Sequence, residues 1–105
     1  MARRTINFTY NNVDYTLGFT LATIEQMERN GFVIGEIAEK VASRWKELFY
    51  GAFAAHHKGI KRKLVDEIYS KLSNKEDLIL GLAELYNEAC ESLLEEGNVS
   101  WTMSE

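Results

Sequence analysis

The side chains best able to do chemistry are few: a histidine pair, His56-His57, a single cysteine, Cys90, and one basic run, Lys58-Gly59-Ile60-Lys61-Arg62-Lys63. Imidazole is the commonest acid, base and metal ligand among side chains. Neighbours on a helix point about 100 degrees apart, however, so His56 and His57 cannot grip one ion as histidines four residues apart do. No cluster of Cys, His and Asp at ligand spacing accompanies them, and neither a metal nor any other cofactor is expected. Cys90 lies in an apolar stripe without the cationic, accessible setting that a thiolate nucleophile needs, and it reads as a small buried hydrophobe.

The chain has no GxSxG, no P-loop, no GxGxxG after a strand, and no carboxylate pair set among apolar residues so as to raise one of them. Its acids, Glu25, Glu28, Glu36, Glu39, Glu84, Glu88 and Glu91 among them, fall on helix exteriors as a solvated face does. An enzyme is not expected. The basic run could meet phosphate or an acidic partner. Its simpler reading is electrostatic: Lys58 favoured at the C-terminal end of one helix by the dipole, and the other cations on the solvent side of the next. A formal net charge of -4 over 105 residues weighs against nucleic acid as the main partner.

The elements that must position these residues follow from periodicity. Ile6, Phe8 and Tyr10 recur at period two, Asn11-Asn12 intervenes, and Val13, Tyr15, Leu17 and Phe19 resume the period. Asn tolerates positive φ, so the pair suits a type I′ turn that sets Tyr10 opposite Val13, Phe8 opposite Tyr15 and Ile6 opposite Leu17. In that register the large apolar side chains share one face, and Asn7, Thr9, Asp14 and Thr16 share the other. A two-stranded hairpin has two free edges, which the domain's own helices, a second protomer or a partner segment must cover.

Residues beyond 20 read as helix, and no proline interrupts them. Thr20 is the expected N-cap of a first helix striped by Leu21, Ile24 and Met27 and ended by Asn30-Gly31. A brief helical turn around Ile34 to Lys40 comes next. A second long helix, Val41 to His57, carries Val41, Trp45, Leu48, Phe49, Ala52 and Phe53 at helical spacing. A third carries Ile60, Leu64, Ile68 and Leu72. Ser73-Asn74-Lys75-Glu76 has the form of a capping box opening the last helix at Asn74, with a stripe from Leu78 to Leu93 and a stop at Gly97. Gly51 and Gly81 fall inside helices, where each costs about 1 kcal/mol relative to alanine, so close packing is expected at both. Asn98 to Glu105 reads as a tail without a period.

With 46% apolar residues the chain should fold as one unit. The expected class is mainly α (α+β): an N-terminal two-stranded β-hairpin, 1–19, packed on a small array of about four helices, 20–97, with a C-terminal tail, 98–105. Met1-Ala2-Arg3-Arg4 leads into a polar-alternating stretch rather than an apolar signal segment, so a cytoplasmic protein with no membrane association is expected. Apolar side chains that are candidates to meet a protein partner are Phe32, Tyr50, Trp101 and Met103, with Met27, Trp45 and Phe53 as further aromatic or Met candidates; those in the helical body read first as core, and Trp101 and Met103 either fold back on the body or are kept for a partner.

The order of elements resembles a known family. A short hairpin leads into Phe19-Thr20-Leu21-Ala22-Thr23-Ile24-Glu25-Gln26-Met27-Glu28 and then Gly31. Next come Leu48-Phe49-Tyr50-Gly51-Ala52-Phe53-Ala54-Ala55-His56-His57, Val65-Asp66-Glu67-Ile68-Tyr69 and a closing Leu85-Tyr86-Asn87-Glu88 helix with an acidic end. Over nearly its whole length this resembles the tail assembly chaperones of long-tailed phages (siphophages) and prophages of Gram-positive bacteria. The resemblance implies a non-catalytic protein that binds the tape-measure protein in the host cytoplasm and keeps it soluble while tail-tube protein polymerises around it. It also implies absence from the mature virion, and in some members a longer frameshifted form. Contact with the tail-tube protein and homo-oligomerisation fit the same reading. The alternative is a small helical regulatory or nucleic-acid-binding protein that uses the Lys58–Lys63 turn.

Overall fold

The computed structural model describes residues 4–94 and 97–104. An antiparallel hairpin, β1 (Ile6–Tyr10) and β2 (Val13–Leu17), is followed by helices α1 (Leu21–Arg29), α2 (Val41–Gly51), α3 (Arg62–Lys71) and α4 (Lys75–Glu91). Single 3₁₀ turns occupy Ile34–Glu36 and Ser92–Leu94. The α+β architecture is the one that the sequence pattern implies.

Asn11 and Asn12 both adopt left-handed φ, 49° and 64°, as a type I′ turn requires. The register is Ile6 with Leu17, Phe8 with Tyr15 and Tyr10 with Val13, so the apolar set faces one way. Val13 is the exception to its burial: at the tip of the hairpin it stays half exposed, beyond reach of the helices. Thr20 caps α1 through a reciprocal pair with Thr23: the Thr20 hydroxyl accepts the Thr23 amide at 3.2 Å, and the Thr23 hydroxyl accepts the Thr20 amide at 3.0 Å. At its other end Gly31 (φ 93°) lets the Phe32 amide reach the Met27 carbonyl and the Gly31 amide reach Glu28, each at 3.0 Å. This Schellman arrangement ends the helix and swings Phe32 back into the core.

Three helix boundaries depart from the sequence pattern, each for a local reason. α2 ends at Gly51, not His57. The Ala52 carbonyl accepts the Gly18 amide of the hairpin at 3.1 Å, and the following amides instead make tight turns, His56 to Phe53 at 3.2 Å among them. α4 begins at Lys75 with Asn74 in a left-handed conformation (φ 52°) and no side-chain cap, so the Ser73–Glu76 box does not form. The Lys75 ammonium closes that corner on the Leu72 carbonyl at 2.8 Å. α4 gives way at Glu91, before Gly97, where the Ser92 hydroxyl bonds back to the Ala89 carbonyl and Leu93 stands exposed with no core to face. Glu95 and Glu96, the expected last turn of that helix, lie outside the described residues, as do Met1 to Arg3.

The core joins Tyr15, Leu17 and Phe19 of the hairpin arm to Leu48, Phe49 and Phe53, to Val65 and Ile68, and to Ile79, Leu82 and Tyr86. Arg4 ties the start of the hairpin to Glu84, at 2.7 Å, and to Glu88 of α4, and Tyr10 ties its tip to Glu67 of α3 at 2.6 Å. Both interior glycines have the close neighbour expected of them. A Cβ on Gly51 would stand 2.5 Å from the Met27 sulfur, and one on Gly81 would stand 3.3 Å from Ile6 Cδ1. Residues 98–104 form no regular secondary structure and are exposed. Their large side chains, Val99, Trp101 and Met103, do recur at period two, which corrects the reading of an aperiodic tail.

Candidate functional site

The segment from Leu48 to His57 has two different sides. Phe49, Phe53 and His57 recur every four residues and form a wall under the hairpin. Phe49 and Phe53 meet edge to face at 5.1 Å, Phe8 stacks over Phe49 at 6.4 Å, and Tyr15 meets the Phe53 ring at 5.8 Å. His57 completes the wall as an acceptor: its Nε2 takes the Thr16 amide at 2.9 Å, which fixes the tautomer with the proton on Nδ1. His57 therefore holds the edge of β2, while His56 is exposed and points elsewhere in the turn. Among the described residues no group of three or more His, Cys, Asp or Glu is placed to hold a metal ion.

On the other side of the same segment, Tyr50, Gly51 and Ala54 face α1 across an open groove of about 600 Å³. Small residues leave this space: Gly51 admits the Met27 side chain, and Ala54 adds only a methyl group. Met27 and Phe32 form the floor, both buried, with Phe32 backed by the Tyr86 ring at 5.6 Å. Ala22 and Thr23 of α1 and Ile60 line the flanks, so the interior is mostly apolar.

Polar groups stand at the rim: Gln26 from α1 and Asn30 at its C-cap, Glu47 from α2, Lys58 from the turn before α3, and Arg62, the first residue of α3. Glu47 is engaged by the Arg44 guanidinium at 2.8 Å. Arg44 also bonds Glu36 at 2.7 Å, and together with Lys40 it holds that carboxyl below its ordinary range. Arg62 lies 4.7 Å over the Tyr50 ring and pairs with Asp66 at 3.2 Å. Lys58 has no ion-pair partner among the described residues, so it presents a free cation at the mouth of an apolar trough.

The expected dipole role of Lys58 is overturned, because α2 ends at Gly51 and Lys58 stands seven residues beyond it; Lys61, Arg62 and Lys63 are exposed, on the solvent side expected of them, although they fall at the N-terminal end of α3, where a helix disfavours cations. Cys90 is half buried rather than buried, and desolvation, aided by Glu28, pushes its thiol up, away from thiolate chemistry.

The residues expected to meet a partner separate into two places. Phe32 and Tyr50 share the groove, Phe32 as floor rather than exposed surface and Tyr50 as a half-buried flank. Phe32 is inside because the turn at Gly31 points it inward, which a run of residue types does not reveal. Trp101 and Met103 stand on the tail, 79% and 83% exposed, and line no part of the groove. Met27 belongs to the groove floor and Phe53 to the wall, and Trp45 is half buried with its indole N–H donating to the Ile37 carbonyl at 2.8 Å. Sequence reasoning missed Gly51 and Ala54 as the makers of the groove; their only signal was small size on an otherwise aromatic segment.

A family model described as Domain of unknown function (DUF5055) matches residues 1–104. The chain belongs to the DUF5055 family. No curated protein and no solved structure matches it. The groove of this DUF5055 chain has an apolar floor, small residues on one wall and a mixed, partly cationic rim. Such a trough can bury one face of an amphipathic helix and meet that helix's acidic flank at Lys58. Among the described residues no helix is long and apolar enough to cross a membrane.

Proposed function

We propose that this DUF5055 protein is a non-catalytic binding protein whose groove between α1 and the end of α2 receives an amphipathic helix of a long, apolar partner. The observation that carries the reading is the groove of about 600 Å³ floored by Phe32 and by Met27, which Gly51 admits, and left open by Ala54. A thioether and aromatic rings bury much area yet adapt to irregular surfaces, which suits low sequence specificity.

The resemblance to phage tail assembly chaperones supplies the partner class. A tape-measure protein is long and helical, and it exposes apolar stripes until tail-tube protein encloses it. Holding successive stripes in this groove keeps it soluble in the host cytoplasm, and displacement during tube growth leaves the chaperone out of the mature virion. The test is co-expression with the tape-measure protein of the same genome. The expected result is a soluble, co-purifying complex.

A second reading has one observation in its favour: Lys58, Lys61, Arg62 and Lys63 gather where the dipole of α3 adds positive potential. In that reading the protein is a small regulator that contacts nucleic-acid phosphate. Its binding would weaken log-linearly with salt, whereas burial of an apolar helix survives or strengthens. An insoluble tape-measure protein together with salt-sensitive DNA retardation would establish the regulator instead.

A further inference from the structure

The hairpin's two edges differ. Because Tyr10 and Val13 flank a two-residue turn, the main-chain groups of Asn7, Thr9, Asp14 and Thr16 point outward from the pair. On the β2 side the edge is engaged at Thr16 and Gly18, the Thr16 amide donating to His57 Nε2 at 2.9 Å and the Gly18 amide to the Ala52 carbonyl at 3.1 Å, and only Asp14 near the tip is left. On the β1 side the outward amides and carbonyls of Asn7 and Thr9 have no partner among the described residues. Burial follows the same asymmetry. Tyr15 and Leu17 of β2 are buried, whereas Ile6, Phe8 and Tyr10 of β1 are only half covered, and Leu80, beside the glycine beneath Ile6, is 59% exposed.

The tail has the complementary pattern. Val99, Trp101 and Met103 alternate with Ser100, Thr102 and Ser104, a strand sequence without proline or charge. We propose that the tail of one copy of this chain adds as a third strand to the free edge of β1 in a second copy. In that pairing Val99, Trp101 and Met103 continue the apolar face past Ile6, Phe8 and Tyr10. Ser100 and Thr102 continue the polar face, where Thr16 already bonds Asn7 at 2.9 Å and Thr9 bonds Asp14 at 2.7 Å. Main-chain bonds supply the affinity and the alternating side chains the register, as in other strand additions. A second copy is the occupant because its own chain leaves the tail's three large side chains 79–86% exposed, in a molecule that measures 59 × 30 × 24 Å. Reciprocal exchange then joins two copies through two such strands.

The test is sedimentation of the full chain from micromolar to millimolar concentration, with hydrogen exchange at the Asn7 and Thr9 amides. Two variants accompany it. T9P removes an outward amide that the hairpin itself does not use, which an edge strand tolerates. W101D places a charge in the middle of the tail. The wild-type chain is expected to double in mass with slowed exchange at both amides, and each variant alone is expected to be monomeric with an unchanged far-UV spectrum. Mixing the variants is expected to restore a one-to-one complex, because one retains the tail and the other the edge. Three results would overturn the proposal: a monomer with rapid exchange at Asn7 and Thr9 throughout, a dimer that survives both substitutions, or a monomer whose slow exchange W101D abolishes, which would put the tail on its own hairpin.

Discussion

The wall under the hairpin and the groove over α1 are built from one stretch of chain, yet one is sealed and the other open. Phe49, Phe53 and His57 fill the first with rings, and in the second Gly51 lets Met27 sink to the floor while Ala54 leaves the space above it unfilled. Side-chain size along ten residues thus decides which side holds the fold and which remains available. The segment is also where α2 stops, because the hairpin takes the Ala52 carbonyl. The hairpin and the groove are therefore joined through the same few turns, and substitutions on the two sides should have opposite signatures.

The largest effect is expected at Phe53. F53A removes a fully buried ring from between Phe8, Tyr15 and Phe49, and should lower the unfolding free energy by about 3–5 kcal/mol in urea denaturation. A loss below about 1 kcal/mol would break the comparison, because it would mean that the wall does not hold the hairpin. H57A is next. It leaves the Thr16 amide without its acceptor and removes a ring from Tyr15, and about 1–3 kcal/mol should be lost. Faster exchange confined to the Thr16 amide and its neighbours would show that the effect is local. An unchanged Thr16 amide would contradict the assignment.

A pH titration sharpens the comparison from the groove side. Tyr86 backs Phe32, and burial, with Glu28 nearby, pushes its hydroxyl up to about 12. An unfolded tyrosine ionises near about 10, so between the two values the unfolded chain holds fewer protons than the folded one, and stability should fall as pH rises through that window. Spectroscopic titration should show one tyrosine ionising after the others, and Y86F should lessen the alkaline loss of stability, with Tyr10 and Tyr69, whose hydroxyls are also raised, carrying the remainder. A Y86F chain with the same alkaline decline would show that another group is responsible.

Much of the fold was legible from residue types. Asn11-Asn12 and the alternation on either side specify the hairpin and its register, and Thr20 and Gly31 specify the ends of α1, because these signals act within a few residues. The boundaries that were not legible depend on distant or competing partners. The Gly18 amide draws the Ala52 carbonyl out of α2 across a long sequence separation. A left-handed Asn74 displaces a capping box that is complete in its letters. The groove was less legible still, since a cavity is made by what Gly51 and Ala54 lack, and the residue type of Phe32 favours the core without showing that the Schellman turn sets it beneath a groove. The period of Val99, Trp101 and Met103 was present in the sequence but is short, and no flanking turn signal marks it.

The central claim is that the groove receives an apolar helix, and A54W addresses it most directly. Ala54 is exposed at the groove, so an indole there fills the trough without entering the core, and stability should stay within about 0.5 kcal/mol of wild type. Co-expressed with the tape-measure protein, the wild-type chain should yield a soluble complex, and A54W, with an unchanged melting temperature, should leave the tape-measure protein insoluble. An A54W chain that solubilises its partner as well as wild type would contradict the account.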